Sequence, residues 1–164
     1  MSGYESEFFS LYPLICFELF PFIPLNNRLI PISLVEDEAT IRKQIIFLIR
    51  RQKAAVKIAE FASGEDFFLA EENFQLVFLD VQMGGIDGIE TARRLRREQK
   101  SSLLIFVTAL KDYVFQAFDV SAFHYLLKPI DDDQFSQIFD RAVKSIEQLG
   151  QRKKSFFAAI GAIW

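Results

Sequence analysis

Residues 76–88 read LVFLDVQMGGIDG, a run of four apolar residues followed by an aspartate and a loop with three glycines. A short apolar run of this kind is typical of a strand that is buried on both faces of a parallel sheet. After the loop, Ile89, Ala92 and Leu95 follow at three-residue steps, and this spacing predicts a helix with one apolar face. The stretch therefore predicts one strand and the helix that follows it.

The same alternation of apolar runs and helical spacing extends over residues 29–148. Short apolar runs predict five strands, at residues 30–35, 55–61, 76–79, 103–107 and 122–127. Apolar stripes or helix-start residues predict further helices at 41–49, 63–66, 112–119 and 135–146. Because right-handed crossovers leave few ways to connect such units, we expect an α/β fold with a doubly wound five-stranded parallel sheet and helices on both faces.

The composition excludes several classes of function. The 164 residues carry 19 Lys and Arg against 22 Asp and Glu, and this balance offers no broad basic surface for a nucleic-acid backbone. The single cysteine, Cys16, excludes an internal disulfide framework and a cysteine-cluster zinc site. The single histidine, His124, excludes multi-histidine metal chemistry and a conventional Ser-His-Asp triad, and we interpret it as a strand residue.

The two ends of the chain depart from the alternating pattern. Residues 1–29 are rich in phenylalanine and proline, so we expect an irregular N-terminal arm or a start codon assigned too far upstream. The prolines and Glu18 interrupt the apolar run that a membrane span would need. Gly150 is predicted to end the last helix, which leaves 150–164 as a short tail and 30–149 as the one domain.

Polar side chains follow four of the five predicted strands. They are Glu36 and Asp37 after the first strand, Asp80 after the third, Thr108 after the fourth, where the small Ala109 follows it, and Lys128 after the fifth. In an open parallel sheet the carboxyl ends of the strands form the edge at which ligands bind. We therefore expect three acids, a hydroxyl group and an amine to lie close together.

Clustered carboxylates raise one another's pKa unless a cation offsets their charge. With oxygen ligands and neither Cys nor His among them, we expect a hard cation, Mg²⁺. Lys128 and Thr108 suit the oxygens of a phosphoryl group. The set indicates a phosphoryl site with a carboxylate nucleophile.

Four short segments together resemble the receiver domain of bacterial response regulators over residues 30–148. They read LVEDE at 34–38, FLDVQM at 78–83, VTA at 107–109 and YLLKP at 125–129. Residues 117–130 are most similar to the LytR/AgrA (LytTR) subgroup. The resemblance implies a flavodoxin-like sheet with strand order 2-1-3-4-5 and a two-component signalling function.

The resemblance also implies roles for individual residues. Asp80 would accept a phosphoryl group from a sensor histidine kinase. Glu36, Asp37, Asp80 and the backbone carbonyl group of Gln82 would hold Mg²⁺. The protein would not be an enzyme beyond its own phosphorylation and dephosphorylation.

Further residues of the resemblance belong to the phosphoryl pocket and the switch. Lys128, preceding Pro129 in a cis peptide bond, would pair with phosphoryl oxygens, and Ala109 would leave room above Asp80. Thr108 would move towards the phosphoryl group, and the ring of Tyr125 would turn inward after it. Phosphorylation would then change a surface used for a homodimer or another partner.

The resemblance has consequences for partners and location. Members of the subgroup carry a DNA-binding domain after the receiver, so DNA would be bound only through an output domain absent from residues 1–164. The chain would then be a truncated product or a free-standing receiver. A cytoplasmic location without membrane contact is implied.

Two other functions remain open. One is a pseudo-receiver that binds a partner without phosphorylation. The other is a phosphohydrolase of the haloacid dehalogenase type, although Gln82 stands where such an enzyme needs a second acid. Gly84 also stands where many receivers have proline, and with Gly85 it is expected to loosen the loop after Asp80.

Overall fold

The computed structural model describes residues 29–98 and 101–161. Except for Leu29, the N-terminal arm predicted at 1–29 lies outside the described residues, as do the last three residues of the predicted tail. Among the described helices, none combines the length and the apolar character that a membrane span requires.

Strands and helices alternate along the whole described chain. The strands are β1 (Ile30–Val35), β2 (Val56–Phe61), β3 (Leu76–Leu79), β4 (Leu103–Thr108) and β5 (His124–Leu127). The helices are α1 (Ala39–Arg50), α2 (Gly64–Leu69), α3 (Gly88–Arg97), α4 (Val114–Asp119) and α5 (Asp132–Gly161). The five strands form one parallel sheet in the order β2-β1-β3-β4-β5, which confirms the predicted fold.

Two hydrophobic cores cover the two faces of the sheet. Side chains such as Leu34 and Phe78 meet α1 and α5 on one face, where the rings of Phe78 and Phe135 stack at 5.6 Å. Val35 and Leu79 meet α2, α3 and α4 on the other face. Because successive strand residues point to opposite faces, strands covered on both sides need nearly continuous apolar sequence, as these strands have.

The strand boundaries differ slightly from the predicted ones. β5 begins at His124 instead of residue 122, because the Ala122 N–H donates to the Ala117 carbonyl oxygen at 3.0 Å and so still closes the end of α4. The intervening Ser121 has a φ of 51°. β2 begins at Val56 and β4 extends to Thr108, each one residue from its prediction.

The prediction that the last helix ends at Gly150 is wrong. Helix α5 passes through this position and continues to Gly161, for 30 residues in total. A glycine inside a helix costs only about 1 kcal/mol relative to alanine, and its neighbours Leu149 and Gln151 are good helix formers. With no proline after Gly150, the glycine alone does not end the helix.

Candidate functional site

The two central strands place two acids at the carboxyl edge of the sheet. Asp80 directly follows β3, and its N–H donates to the Val35 carbonyl oxygen at 3.0 Å. Glu36 directly follows β1, and its N–H donates to the Phe61 carbonyl oxygen at 3.1 Å. Both side chains are buried, with relative exposures of 5% for Asp80 and 1% for Glu36. The backbone hydrogen bonds of both residues to the ends of neighbouring strands thus fix the positions from which the two carboxylates extend.

A third acid completes a carboxylate cluster. One ligand oxygen from each of Glu36, Asp37 and Asp80 lies within 4.8 Å of the other two, and Asp37 is the exposed member. The N–H of Gln82 donates to Asp80 Oδ1 at 3.3 Å, so the loop after β3 contacts the Asp80 carboxylate through its backbone. Three carboxylate oxygens at this spacing fit one hard cation that keeps some of its waters.

Lys128 brings a positive charge to the same cluster. Its Nζ donates to Glu36 Oε2 at 2.7 Å and to Asp80 Oδ2 at 3.1 Å. Its backbone N–H donates to the Thr108 carbonyl oxygen at 2.9 Å, so the end of β4 positions it. The Lys128–Pro129 peptide bond is cis, as expected.

The charges in the cluster influence one another. Burial raises the pKa of Glu36, against the lowering effect of its hydrogen bond with Lys128. Burial alone would lower the pKa of Lys128, but its hydrogen bonds to Glu36 and Asp80 and the charges of these two acids together outweigh burial and raise it. Lys128 is therefore an ammonium group at neutral pH, and when all three carboxylates are ionised they exceed it by two negative charges. A divalent cation would balance that excess.

Thr108 and Tyr125 are linked through one residue. The buried Thr108 hydroxyl oxygen accepts the Leu110 N–H at 3.4 Å, and the Tyr125 hydroxyl group donates to the Leu110 carbonyl oxygen. Burial, followed by the charge of Asp80, raises the pKa of Tyr125. Ala109 is exposed beside Thr108. Hydrogen bonds through Leu110 thus connect Thr108 to Tyr125. A separate set of hydrogen bonds joins Lys128 to Glu36 and Asp80.

Two further residues support the site in ways that the sequence did not predict. The guanidinium group of Arg42 donates to the backbone carbonyl oxygens of Glu36 and Asp37, the latter at 3.0 Å, and so holds the acidic loop. Gly88 lies against Asp80, and a Cβ atom there would be 1.9 Å from the Asp80 carbonyl oxygen. Apart from its place five residues after Asp37, Arg42 carried no signal, whereas Gly88 was already part of a quoted motif.

Comparison with known proteins places this geometry in a family. A family model described as the response regulator receiver domain matches residues 32–140. The chain is 33% identical over 128 residues to the sensory transduction protein LytT of Oceanobacillus iheyensis, an alignment that covers 76% of this chain and 52% of that protein. The chain spans about half the length of the curated LytT relatives it matches.

Solved structures of response regulators have a fold similar to that of this chain. The response regulatory domain of MrkE from Klebsiella pneumoniae superposes with a TM-score of 0.68 at 26% identity, covering 72% of this chain and 98% of that one. The response regulator TrrA from Thermotoga maritima, in complex with Mg²⁺-BeF, gives a TM-score of 0.61 at 26% identity, covering 68% and 97%. The chain belongs to the response regulator receiver domain family, and its LytT relatives support the LytR/AgrA subgroup.

Proposed function

We propose that Asp80 is the phosphoacceptor and that Glu36, Asp37, Asp80 and the backbone carbonyl group of Gln82 hold Mg²⁺. The observation that carries this proposal is the approach of three carboxylate oxygens to within 4.8 Å of one another, with Lys128 bound to two of the acids. The related TrrA structure contains Mg²⁺-BeF, which supports the choice of ion.

The residues of the chain would carry out the transfer. A carboxylate oxygen of Asp80 attacks the phosphorus of a donor phosphohistidine, so that the O–P bond forms while the N–P bond breaks and the imidazole nitrogen leaves. Bound Mg²⁺ supplies neutralisation of the charge on the transferring group. Lys128, already at 3.1 Å from Asp80 Oδ2, pairs with a phosphoryl oxygen. Ala109 leaves the approach to Asp80 open.

Phosphorylation would then act on the link through Leu110. The phosphoryl group adds negative charge and acceptor oxygens next to Thr108, which favours movement of the Thr108 hydroxyl group towards it. That movement removes the acceptor of the Leu110 N–H and disturbs the Tyr125 hydrogen bond to Leu110. The ring of Tyr125 would turn inward and change the surface beside α4.

The partners follow from this switch. A sensor histidine kinase would supply the phosphoryl group in the cytoplasm, and the surface around Phe115 and Phe118 would form a homodimer after phosphorylation. Both rings are 84% exposed and border a groove that Tyr125 also lines. We infer that the receiver, at residues 30–149, has no DNA contact of its own and that an output domain would supply one. The receiver would not turn over any other substrate.

The two other candidate functions are not favoured. A pseudo-receiver has no need for a complete set of acids with a bridging lysine, which this chain has. A phosphohydrolase of the haloacid dehalogenase type needs an acid/base two residues after the nucleophile. Gln82 occupies that position and cannot exchange a proton.

Acetyl phosphate in the presence of Mg²⁺ tests the proposal. The parent protein is expected to gain one phosphoryl group by intact mass, whereas Asp80→Asn and a chelator-treated sample gain none. Asp119→Asn is the matched control, because Asp119 is an exposed acid outside the cluster. Labelling of Asp80→Asn to the extent of the parent would contradict the assignment of Asp80.

A further inference from the structure

The loop that follows Asp80, residues 81–87, requires a stabilising contact to keep one conformation. Residues 81–87 lie between Asp80 and α3, and they contain Gln82 and the glycine pair at 84 and 85. Two consecutive glycines give a chain more conformational freedom than any other pair of residues, so ordering them costs more entropy. Some contact must offset this cost if the loop is to keep one conformation over the site.

Glu65 provides such a contact from a different element. It lies in the first turn of α2, and its Oε1 accepts the Ile86 N–H at 2.9 Å, across 21 residues of sequence. The helix itself is well anchored, because Ser63 caps it through the Asp66 N–H at 3.1 Å and Phe67 is buried. The Glu65 carboxylate therefore binds the loop from a helix whose own position is fixed by its cap and its buried side chain.

The backbone of the loop is shaped around this carboxylate. Gly85 has a φ of 76°, and a Cβ atom there would lie 2.4 Å from Glu65 Oε1 and 3.0 Å from Oε2. Glycine is the residue that permits both this left-handed conformation and this close approach. The backbone N–H groups of Glu65 itself and of Ile86 lower the pKa of Glu65, so the group that meets the loop is a carboxylate.

Hydrogen bonds on either side of Ile86 connect the conformation of the loop to the carboxylate cluster. Towards α3, the Gly88 N–H donates to the Val81 carbonyl oxygen at 2.9 Å and closes the loop. On the opposite side, the Gly84 N–H donates to Asp37 Oδ2 at 3.4 Å, and the Gln82 N–H donates to Asp80 Oδ1. Fixing Ile86 therefore restricts the segment whose main chain contacts two of the three acids.

We propose that Glu65 is a positioning residue for phosphoryl transfer, which holds the glycine-containing loop so that the Gln82 carbonyl group and the Gly84 N–H stay over the metal cluster. This inference rests on the proposed function of Asp80 and its metal site. Glu65 touches neither the ion nor the phosphoryl group and acts through the backbone of the loop.

The test compares Glu65→Ala and Glu65→Gln with the parent. The first measurement is the dissociation constant for Mg²⁺ by calorimetry without any phosphodonor, and the second is the labelling rate with acetyl phosphate at saturating Mg²⁺. For Glu65→Ala we expect about tenfold weaker Mg²⁺ binding, since a hydrogen bond to a charged group is lost. Glu65→Gln keeps an acceptor oxygen and is expected to lose less.

Two further variants make the test specific. Asp66→Asn removes the same charge from an exposed position of the same helical turn, and its Mg²⁺ affinity is expected to equal that of the parent. Gly84→Ala in the Glu65→Ala background should recover about threefold in affinity, because alanine restricts the loop while keeping the N–H group. A Cβ atom at Gly84 meets nothing within 4 Å.

The outcomes separate this inference from the proposed function. If Glu65→Ala and Glu65→Gln lower the melting temperature but bind Mg²⁺ like the parent, Glu65 has only a structural role and the inference is wrong. If Glu65→Ala does not fold, the Mg²⁺ affinity of Glu65→Gln and the hydrogen-exchange rate of its Ile86 amide group are compared with those of the parent. Values equal to those of the parent would then make the inference wrong. If the parent binds Mg²⁺ but never labels, the phosphoacceptor proposal fails while the comparison of affinities still decides the role of Glu65.

Discussion

At the scale of single residues, the site that we propose as the phosphoacceptor depends on a backbone approach that leaves no space for a side chain. The main chain at Gly88 lies so close to Asp80 that a Cβ atom would be 1.9 Å from the Asp80 carbonyl oxygen and 2.8 Å from Val81 Cα. Both of these atoms belong to the backbone, which cannot rotate away as a flexible side chain would. The start of α3 and the backbone of Asp80 are therefore packed as one unit.

Replacing Gly88 is expected to disrupt this unit. Gly88→Ala should lower the free energy of unfolding by about 3 kcal/mol, because overpacking against backbone forces the loop and α3 apart. Gly84→Ala is the matched control: it lies in the same loop, has open space around its Cβ position, and should change stability by about 0.5 kcal/mol or less. Denaturant unfolding of both variants gives the comparison, and equal stabilities would contradict the packing argument.

The residues that follow strands directly were predictable from the sequence, whereas those that act across a loop were not. Asp80 and Lys128 come immediately after buried strands, so the parallel sheet alone brings them to one edge. Glu65 was interpreted only as part of a helix start, because its contact with Ile86 depends on the conformation of a loop 21 residues away. Arg42 likewise acts through carbonyl groups, which leave no pattern in the sequence.

At the scale of secondary-structure elements, apolar periodicity predicted the buried faces better than the element ends. The stripe of α5 from Phe135 to Ile146 is buried as its spacing indicated, because burial follows directly from helical geometry. The end of α5 was placed at Gly150, since glycine often follows a helix. A glycine ends a helix only when the chain adopts a left-handed conformation there, and the residue type alone does not settle that.

The continuity of α5 leads to a prediction at this position. Gly150→Ala should raise the helical stability of the segment around residue 150 by about 0.5–1 kcal/mol, because alanine has the higher helix propensity. Circular dichroism at intermediate denaturant concentrations and amide hydrogen exchange of the neighbouring residues measure the effect. A loss of helicity in this variant would indicate that Gly150 ends the helix after all.

At the scale of the whole molecule, the sheet separates two cores and presents the carboxylate cluster at one edge. On one of its faces, α4 carries Phe115 and Phe118 into solvent beside Tyr125, whose hydroxyl group is linked through Leu110 to Thr108. The site and this surface are thus connected by two hydrogen bonds to a single residue. Under the proposed function, a charge change at Asp80 that draws the Thr108 hydroxyl group towards it would disturb this connection.

Association after phosphorylation should depend on that surface. The parent is expected to sediment as a dimer after beryllofluoride treatment, whereas Phe118→Ser should remain monomeric and still accept a phosphoryl group. Phe47→Ser is the matched control, because Phe47 is an exposed phenylalanine on α1, which packs on the other face of the sheet. Unchanged sedimentation of the treated parent, or dimerisation of treated Phe118→Ser, would contradict this role of α4.

The proposed function requires one acyl phosphate, formed at the Asp80 carboxylate. The protein is treated with acetyl phosphate and Mg²⁺ and then reduced with borohydride, which converts a phosphorylated aspartate to homoserine. Peptide mass spectrometry then locates the homoserine in the sequence. We predict homoserine at position 80 alone, and none when Mg²⁺ is chelated. Modification at Asp37 or at another acid, or no modification in the presence of Mg²⁺, would contradict the proposed function.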